Sequence, residues 1–313
     1  MQKINWFPGH MQKALRMMQE EVKNVDALIY VLDGRAPVAC LNPEFVALAK
    51  EKPILFVINK IDLADEKKIE KIKQMLKGEN NAILELNSTA SGAIKSVENA
   101  LNTLCKKIIE KFKNKGVNYF VRAMVVGVPN SGKSTLVNNL CGNARAITGD
   151  KPGVTKGKQW VKLSNNIEIL DTPGTLWPNL IDEQNARKLA FIGSIKDEII
   201  SSEELSLFLI EELCENYPKE FCSRFGVEIE NLSPVEILEA VAVSRKYLIK
   251  GGEIDYERTA KAIIDDFRKG RIGRITLWTA KFWVTWESQK FLFIWGNTDT
   301  FLLKKIMCVL LVK

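Results

Sequence analysis

The chain holds one histidine, at position 10. Any chemistry that needs two imidazoles is excluded. The six cysteines lie at 40, 105, 141, 214, 222 and 308, and no two of them have C-x-x-C spacing. With a lone histidine beside them, they do not form a zinc framework. They read as reduced thiols, and the protein as cytoplasmic. No apolar run reaches the roughly 18–20 residues that cross a bilayer. The N-terminal string MQKINWFPGHMQKALRMMQEE has no continuous apolar core, so it does not read as a secretory signal. One sign of charge is only slightly in excess: 45 basic against 38 acidic residues leave +7. That balance is compatible with nucleic acid without specifying it. A chain of 313 residues with 46% hydrophobic and 27% charged residues has the composition of a soluble globular protein and room for two domains.

Six short apolar runs, rich in β-branched residues, stand out: 27–32, 54–58, 82–86, 123–126, 160–163 and 167–170. Most are continuous rather than alternating, as in parallel strands covered on both faces. Helical candidates lie between them at 43–51, 67–77, 94–112 and 133–140. Strands that alternate with helices predict an α/β sheet joined by crossovers. From about residue 195 the pattern becomes helical, with apolar residues at 3–4 spacing over 203–268. Ser233-Pro234 reads as a helix start, and Gly251-Gly252 as a helix end. Residues 277–313 keep neither period and hold four of the seven tryptophans, so they read as an anomalous tail that contributes no site and is poorly ordered or loosely packed, one origin being a reading-frame slip near codon 277.

Gly127-Val-Pro-Asn130-Ser131-Gly132-Lys133-Ser134-Thr135 follows a strand and opens a helix, which is the setting a G-x-x-x-x-G-K-[ST] phosphate loop requires. Backbone N–H groups and the Lys133 charge suit phosphates, and the Ser134 hydroxyl suits Mg²⁺. One strand later comes Asp171-Thr-Pro-Gly174. Asp171 can join the Mg²⁺ shell, and the Gly174 N–H can meet a γ-phosphate. Between the two motifs, Thr155 can close on Mg²⁺ and the γ-phosphate, or serve as an ordinary loop threonine.

The strand 54–58 runs into Asn59-Lys60-Ile61-Asp62, an N-K-x-D at a strand's C-terminal end, where open α/β sheets bind ligands. A carboxylate at Asp62 can accept from guanine N1–H and N2–H₂, a pair that adenine does not offer. Lys60 can lie over the base and Asn59 can tie the loop together. Asn87-Ser88-Thr89, after the next strand, can meet guanine O6.

Together these residues resemble the nucleotide-binding elements of the translation-factor-related GTPases, but in another order. Ordinary members run phosphate loop, threonine switch, DxxG, NKxD and serine loop. Here NKID and NST come first. With Ile4-Asn-Trp-Phe-Pro-Gly-His10-Met, Asp33-Gly-Arg-Ala-Pro37 and Asp171-Thr-Pro-Gly-Thr-Leu-Trp-Pro178, the chain resembles the circularly permuted GTPases of the YlqF/YawG group. The resemblance implies a P-loop GTPase sheet in permuted order over residues 1–195, then a small all-helical RNA- or ribosome-binding domain over 196–276.

It also implies GTP hydrolysis to GDP in late maturation of the large ribosomal subunit, with Mg²⁺ and K⁺ as cofactors and the subunit and its RNA as partners of a monomeric protein. The glutamine that many GTPases place after DxxG is replaced by Thr175. His10 then becomes the candidate for positioning the attacking water, with Lys133 and Thr155 as the other catalytic candidates. Asn130 becomes a candidate K⁺ ligand. Basic clusters at 106–115, 151–162 and 268–274, and the stretch 3–23, are candidate RNA contacts or solvated faces. Two other functions compete: a potassium-dependent GTPase of tRNA modification, whose catalytic cysteine would have to be Cys308, and a scaffold that binds GTP without turnover.

Overall fold

The computed structural model describes residues 7–49, 52–90, 92–140, 159–164, 166–177, 183–278, 282–287 and 290–295. The chain begins with helix α1 (Gly9–Glu21), then alternates: β1 (Ala27–Asp33), α2 (Pro43–Ala49), β2 (Ile54–Asn59), α3 (Glu66–Leu76) and β3 (Asn81–Leu86). Helices α4 (Ala93–Leu104) and α5 (Lys106–Lys113) lead to β4 (Val121–Val126), α6 (Lys133–Leu140), β5 (Gln159–Ser164) and β6 (Ile167–Asp171). Helices α7 (Glu183–Phe191), α8 (Ser202–Asn216), α9 (Pro218–Phe225), α10 (Pro234–Arg245) and α11 (Tyr256–Arg268) follow.

The six strands order as β3-β2-β1-β4-β6-β5. All pair in parallel except β5, which runs antiparallel to β6. The phosphate-loop strand β4 therefore sits between β1 and β6, and the N-K-x-D strand β2 lies one strand further on. Alternate residues serve opposite faces, as strand geometry demands. In β1, Leu28, Tyr30 and Leu32 enter one core and Ala27, Ile29 and Val31 the other. The second core is covered by α4 and α6, through Val97, Leu101, Leu136 and Val137.

The first core takes Met11, Leu15 and Met18 of α1 and Phe45 of α2, and runs without interruption into Leu209, Phe221, Val241 and Phe267 of the later helices. The apolar interior therefore does not stop at residue 195. Tyr217 ties the two parts with polar contacts as well: its hydroxyl lies 3.0 Å from an Asp65 carboxylate oxygen and 3.0 Å from the Thr276 carbonyl.

Several local expectations are met in detail. Ser233 caps α10 through a capping box with Glu236, with Pro234 in the first turn. Two are corrected. The single helix expected over 94–112 is two, broken at Cys105, whose ψ of 10° leaves the helical region. Gly251-Gly252 does not end a helix: α10 stops at Arg245 with Lys246 left-handed, and the two glycines shape the turn before α11. Within the tail, β7 (Phe282–Glu287) and β8 (Lys290–Trp295) pair as a separate antiparallel hairpin, where the sequence gives no strand period. Residue 308 lies outside the described residues. Among those described, Cys40, Cys105, Cys214 and Cys222 are unbridged, and no helix is long and apolar enough to cross a membrane.

Candidate functional site

The loop after β4 and the loop after β2 meet at the C-terminal edge of the sheet. Asn59, the last residue of β2, is fully buried and joins three segments. Its Nδ2 donates to the Ser131 carbonyl at 2.9 Å, and its Oδ1 accepts from the Ser88 backbone N–H at 3.0 Å. Asn87 closes the third segment as a tight turn, its Oδ1 accepting from the Thr89 N–H at 3.0 Å and hydroxyl at 2.6 Å. Asn139 of α6 donates to the Ser88 carbonyl, fastening that turn to the phosphate-loop helix.

Lys60 takes a left-handed conformation at the strand end, φ 56°. Its ammonium donates to Asp33 Oδ2 and to the Asn130 carbonyl, each at 2.7 Å. Asp62 follows in a short 3-10 turn, Ile61–Leu63, with its side chain exposed. Asp33 is fully buried and also accepts from Arg35 Nε at 2.9 Å and NH2 at 2.6 Å. Burial alone would raise its pKa, but the two cations hold it well below the usual carboxylate range. Asp33 and Arg35 belong to the D-G-R-A-P string quoted above, to which the sequence assigned no task.

In the phosphate loop, the Ser131 hydroxyl donates to the Val128 carbonyl at 2.9 Å, and Ser134 and Thr135 lie in the first turn of α6. Gly132 has φ +92°, and a Cβ there would stand 2.1 Å from Asn59 Nδ2. Gly174 packs close from the other side: its Cβ would fall 2.9 Å from Pro129 Cα and 3.1 Å from Lys133 Nζ. Lys133 is buried, and burial lowers its pKa while Asp171 opposes the shift.

Asp171 is buried with no well-formed hydrogen bond to either carboxylate oxygen, and burial raises its pKa against the pull of Lys133 and the nearby Thr172 backbone N–H. Two unpartnered buried oxygens are costly unless something else meets them. Beside Ser134 and a phosphate loop, this donor set fits a hard cation such as Mg²⁺. Thr155 lies outside the described residues, as do residues 1–6 and 151–158.

His10 is exposed in the first turn of α1. Its neighbour Met11 is fully buried against the D-x-x-G segment. The Thr175 hydroxyl approaches the Met11 carbonyl at 3.5 Å, and the Leu176 N–H approaches Met11 Sδ at 3.5 Å. The chain turn bearing His10 thus packs directly on the residues after Gly174. Thr175 itself is buried, and its hydroxyl donates to the Leu176 carbonyl at 2.9 Å, which turns it away from any water-positioning task.

Asn130 donates through Nδ2 to the Gly193 carbonyl at 2.7 Å, and the Ser194 hydroxyl donates to the Pro129 carbonyl at 2.6 Å. The segment after α7 is therefore bonded to the phosphate loop. Sequence reading missed Asp33, Arg35, Asn139, Gly193 and Ser194. Only the D-G-R-A-P string gave a signal, because the others act across long sequence separations.

A phosphate loop at the centre of the sheet, an N-K-x-D strand two places away and D-x-x-G on its other side define a GTPase whose elements run in circularly permuted order. Residues 122–239 match the 50S ribosome-binding GTPase family. Ribosome biogenesis GTPase A of Bacillus cereus is 35% identical over 277 residues, covering 88% of this chain and 94% of that protein. The Bacillus licheniformis protein of the same name is 38% identical over 274 residues, covering 87% and 97%. The chain belongs to the ribosome biogenesis GTPase A family. Among solved structures, GNP-bound YlqF from T. maritima is similar at TM-score 0.56 and 28% identity, covering 85% of this chain and 97% of that one. A GDP-bound YlqF structure is similar at TM-score 0.59 and 28% identity, covering 85% and 99%.

Proposed function

We propose that this GTPase acts late in maturation of the large ribosomal subunit, in the cytoplasm and as a monomer, with residues 196–276 helping to contact the particle. The observation that carries the nucleotide reading is the position of Asn59, which bonds the base loop to both the phosphate loop and the Asn87–Thr89 turn. Asp62 reads the guanine edge, the stem of Lys60 lies along the base, and Asn87, Ser88 and Thr89 face O6. Asn130, Ser131, Gly132, Lys133, Ser134 and Thr135 hold the phosphates, and Gly174 senses the third one.

Ser134, Thr155 and Asp171 hold Mg²⁺, which neutralises developing phosphate charge. Asn130 helps hold K⁺, adding positive charge where other enzymes insert an arginine. His10 orients the attacking water. It stands on a turn already packed against Thr175–Leu176, so a modest movement of α1 on the ribosome brings it towards the γ-phosphate side. Thr175, turned inward, does not compete with His10 for that place.

The basic clusters divide. In 268–274, Arg271 pairs with Asp265 and Asp266, Arg274 pairs with Glu66, and Arg268 is held internally. Helix α5, with Lys106, Lys107, Lys111 and Lys113 and no buried residue, remains the better RNA contact. The tRNA-modification reading is not favoured, because proteins of that kind are not permuted.

Sedimentation with purified large subunits tests the proposal. The protein should travel with large subunits when loaded with a non-hydrolysable GTP analogue and leave them with GDP. Equal binding to small subunits, or no nucleotide dependence, would oppose it.

A further inference from the structure

Arg268, the last residue of α11, touches nothing that binds nucleotide, yet it is bonded towards both halves of the site. Its guanidinium reaches the C-terminal end of α7. Nε donates to the Phe191 carbonyl and NH2 to the Ala190 carbonyl, each at 2.9 Å. Both belong to the last turn of the helix, where carbonyls lose their intrahelical partners. The chain then turns sharply: the Ser194 N–H returns to Leu189 at 2.8 Å and the Gly193 N–H to Ala190 at 2.9 Å. That turn presents Gly193 and Ser194 to Asn130 and Pro129 of the phosphate loop.

On the other side, the Arg268 carbonyl accepts from Arg35 NH1 at 2.7 Å. Arg35 grips Asp33, and Asp33 holds the ammonium of Lys60 in the base loop. The chain leaving α11 then fastens the base loop and the segment after β1. The Ile275 N–H donates to the Leu63 carbonyl at 2.9 Å, and the Thr276 hydroxyl donates to the Gly34 carbonyl at 2.8 Å.

We infer that Arg268 is a positioning residue through which the helical part of the chain sets the guanine-nucleotide site, and through which the nucleotide in turn sets the helical part. The inference rests on the reading of that site given above. The phosphate loop and the base loop are separate segments, and α11 is the element bonded towards both. If α11 shifts when the helical part meets its partner, the Gly193 turn and the Lys60 anchor shift together. Linkage makes the effect reciprocal: whatever tightens nucleotide binding through these contacts also tightens α11 against the sheet.

The test compares wild type with Arg268→Ala, Arg268→Lys and Asp197→Ala. Asp197 pairs with the same guanidinium but is itself largely exposed and touches neither loop. Fluorescent-GDP titration gives affinity, thermal melting gives the folded state, and hydrogen exchange is followed at 192–194 and 268–272 with and without GDP. GDP should slow exchange at both segments in wild type. Arg268→Ala should weaken GDP by about tenfold and abolish the GDP-linked slowing at 268–272. Arg268→Lys, which keeps the charge but not the planar fork of donors, should recover part of the affinity, and Asp197→Ala should match wild type.

Folded Arg268→Ala with unchanged affinity would overturn the inference. So would wild type whose exchange at 268–272 ignores GDP, a result that needs no variant to fold. Wild type that fails to bind GDP at all would instead remove the underlying nucleotide reading.

Discussion

The side-chain amide of Asn59 crosses directly over Gly132, 2.1 Å from where a Cβ on that glycine would stand. The two residues come from the base loop and the phosphate loop, 73 positions apart in the chain. Each restricts the other: the amide needs the space, and only glycine leaves it at φ +92°. Asn59→Ala should leave the Ser131 carbonyl and the Ser88 N–H without this partner. It should cost about 1–3 kcal/mol of stability and weaken GDP by at least about tenfold. Urea unfolding and nucleotide titration check both, and wild-type values would remove Asn59 as the joint.

Asp171 is buried with little to offset its charge. Burial holds its carboxyl above the ordinary pKa, with Lys133 opposing. The folded state therefore keeps this proton more firmly than the unfolded state. Ionising it works against folding as pH rises past the ordinary carboxylate range. Asp171→Asn should raise the melting temperature of nucleotide-free protein at pH 7 by about 2–4 °C, with the gain shrinking as pH falls towards 4. The same variant should lose Mg²⁺-dependent affinity for GTP. A lower melting temperature at pH 7 would contradict this account.

His10→Ala should slow ribosome-stimulated hydrolysis by on the order of 10²-fold and leave GTP binding intact. Single-turnover measurements with large subunits separate the two quantities. A wild-type rate would return His10 to a purely structural place at the start of α1.

Exchange of K⁺ for Na⁺ should slow turnover by about tenfold or more, and Asn130→Ala should erase the difference between the two ions. Asn130 also donates to Gly193, so nucleotide affinity must be measured alongside. Turnover that ignores the cation in wild type would remove the K⁺ reading.

What was legible in the sequence was what is local. The phosphate loop lies between its own strand and helix, and N-K-x-D ends its own strand, so periodicity and spacing place both. The reversed motif order likewise follows from the chain alone. Asp33 and Arg35 were visible only as part of a string, because their partners Lys60 and Arg268 are 27 and 233 positions away. Arg268 was read as part of a basic face, since composition does not reveal that a guanidinium is turned onto helix-end carbonyls. The break at Cys105 was missed because the apolar spacing continues across it. The hairpin of β7 and β8 was missed because its strands carry no clear alternation.

The guanine specificity assigned to Asp62 is the point on which the account depends most directly, and one pair of titrations tests it. Affinities for GDP and xanthosine diphosphate are measured in wild type and in Asp62→Asn. Xanthine presents a carbonyl where guanine presents an amine, so an amide at position 62 supplies the donor that a carboxylate lacks. Wild type should prefer GDP and Asp62→Asn should prefer the xanthine nucleotide. A folded Asp62→Asn that still prefers GDP by the wild-type margin would contradict the account, because the base would then be read elsewhere than at Asn59–Asp62.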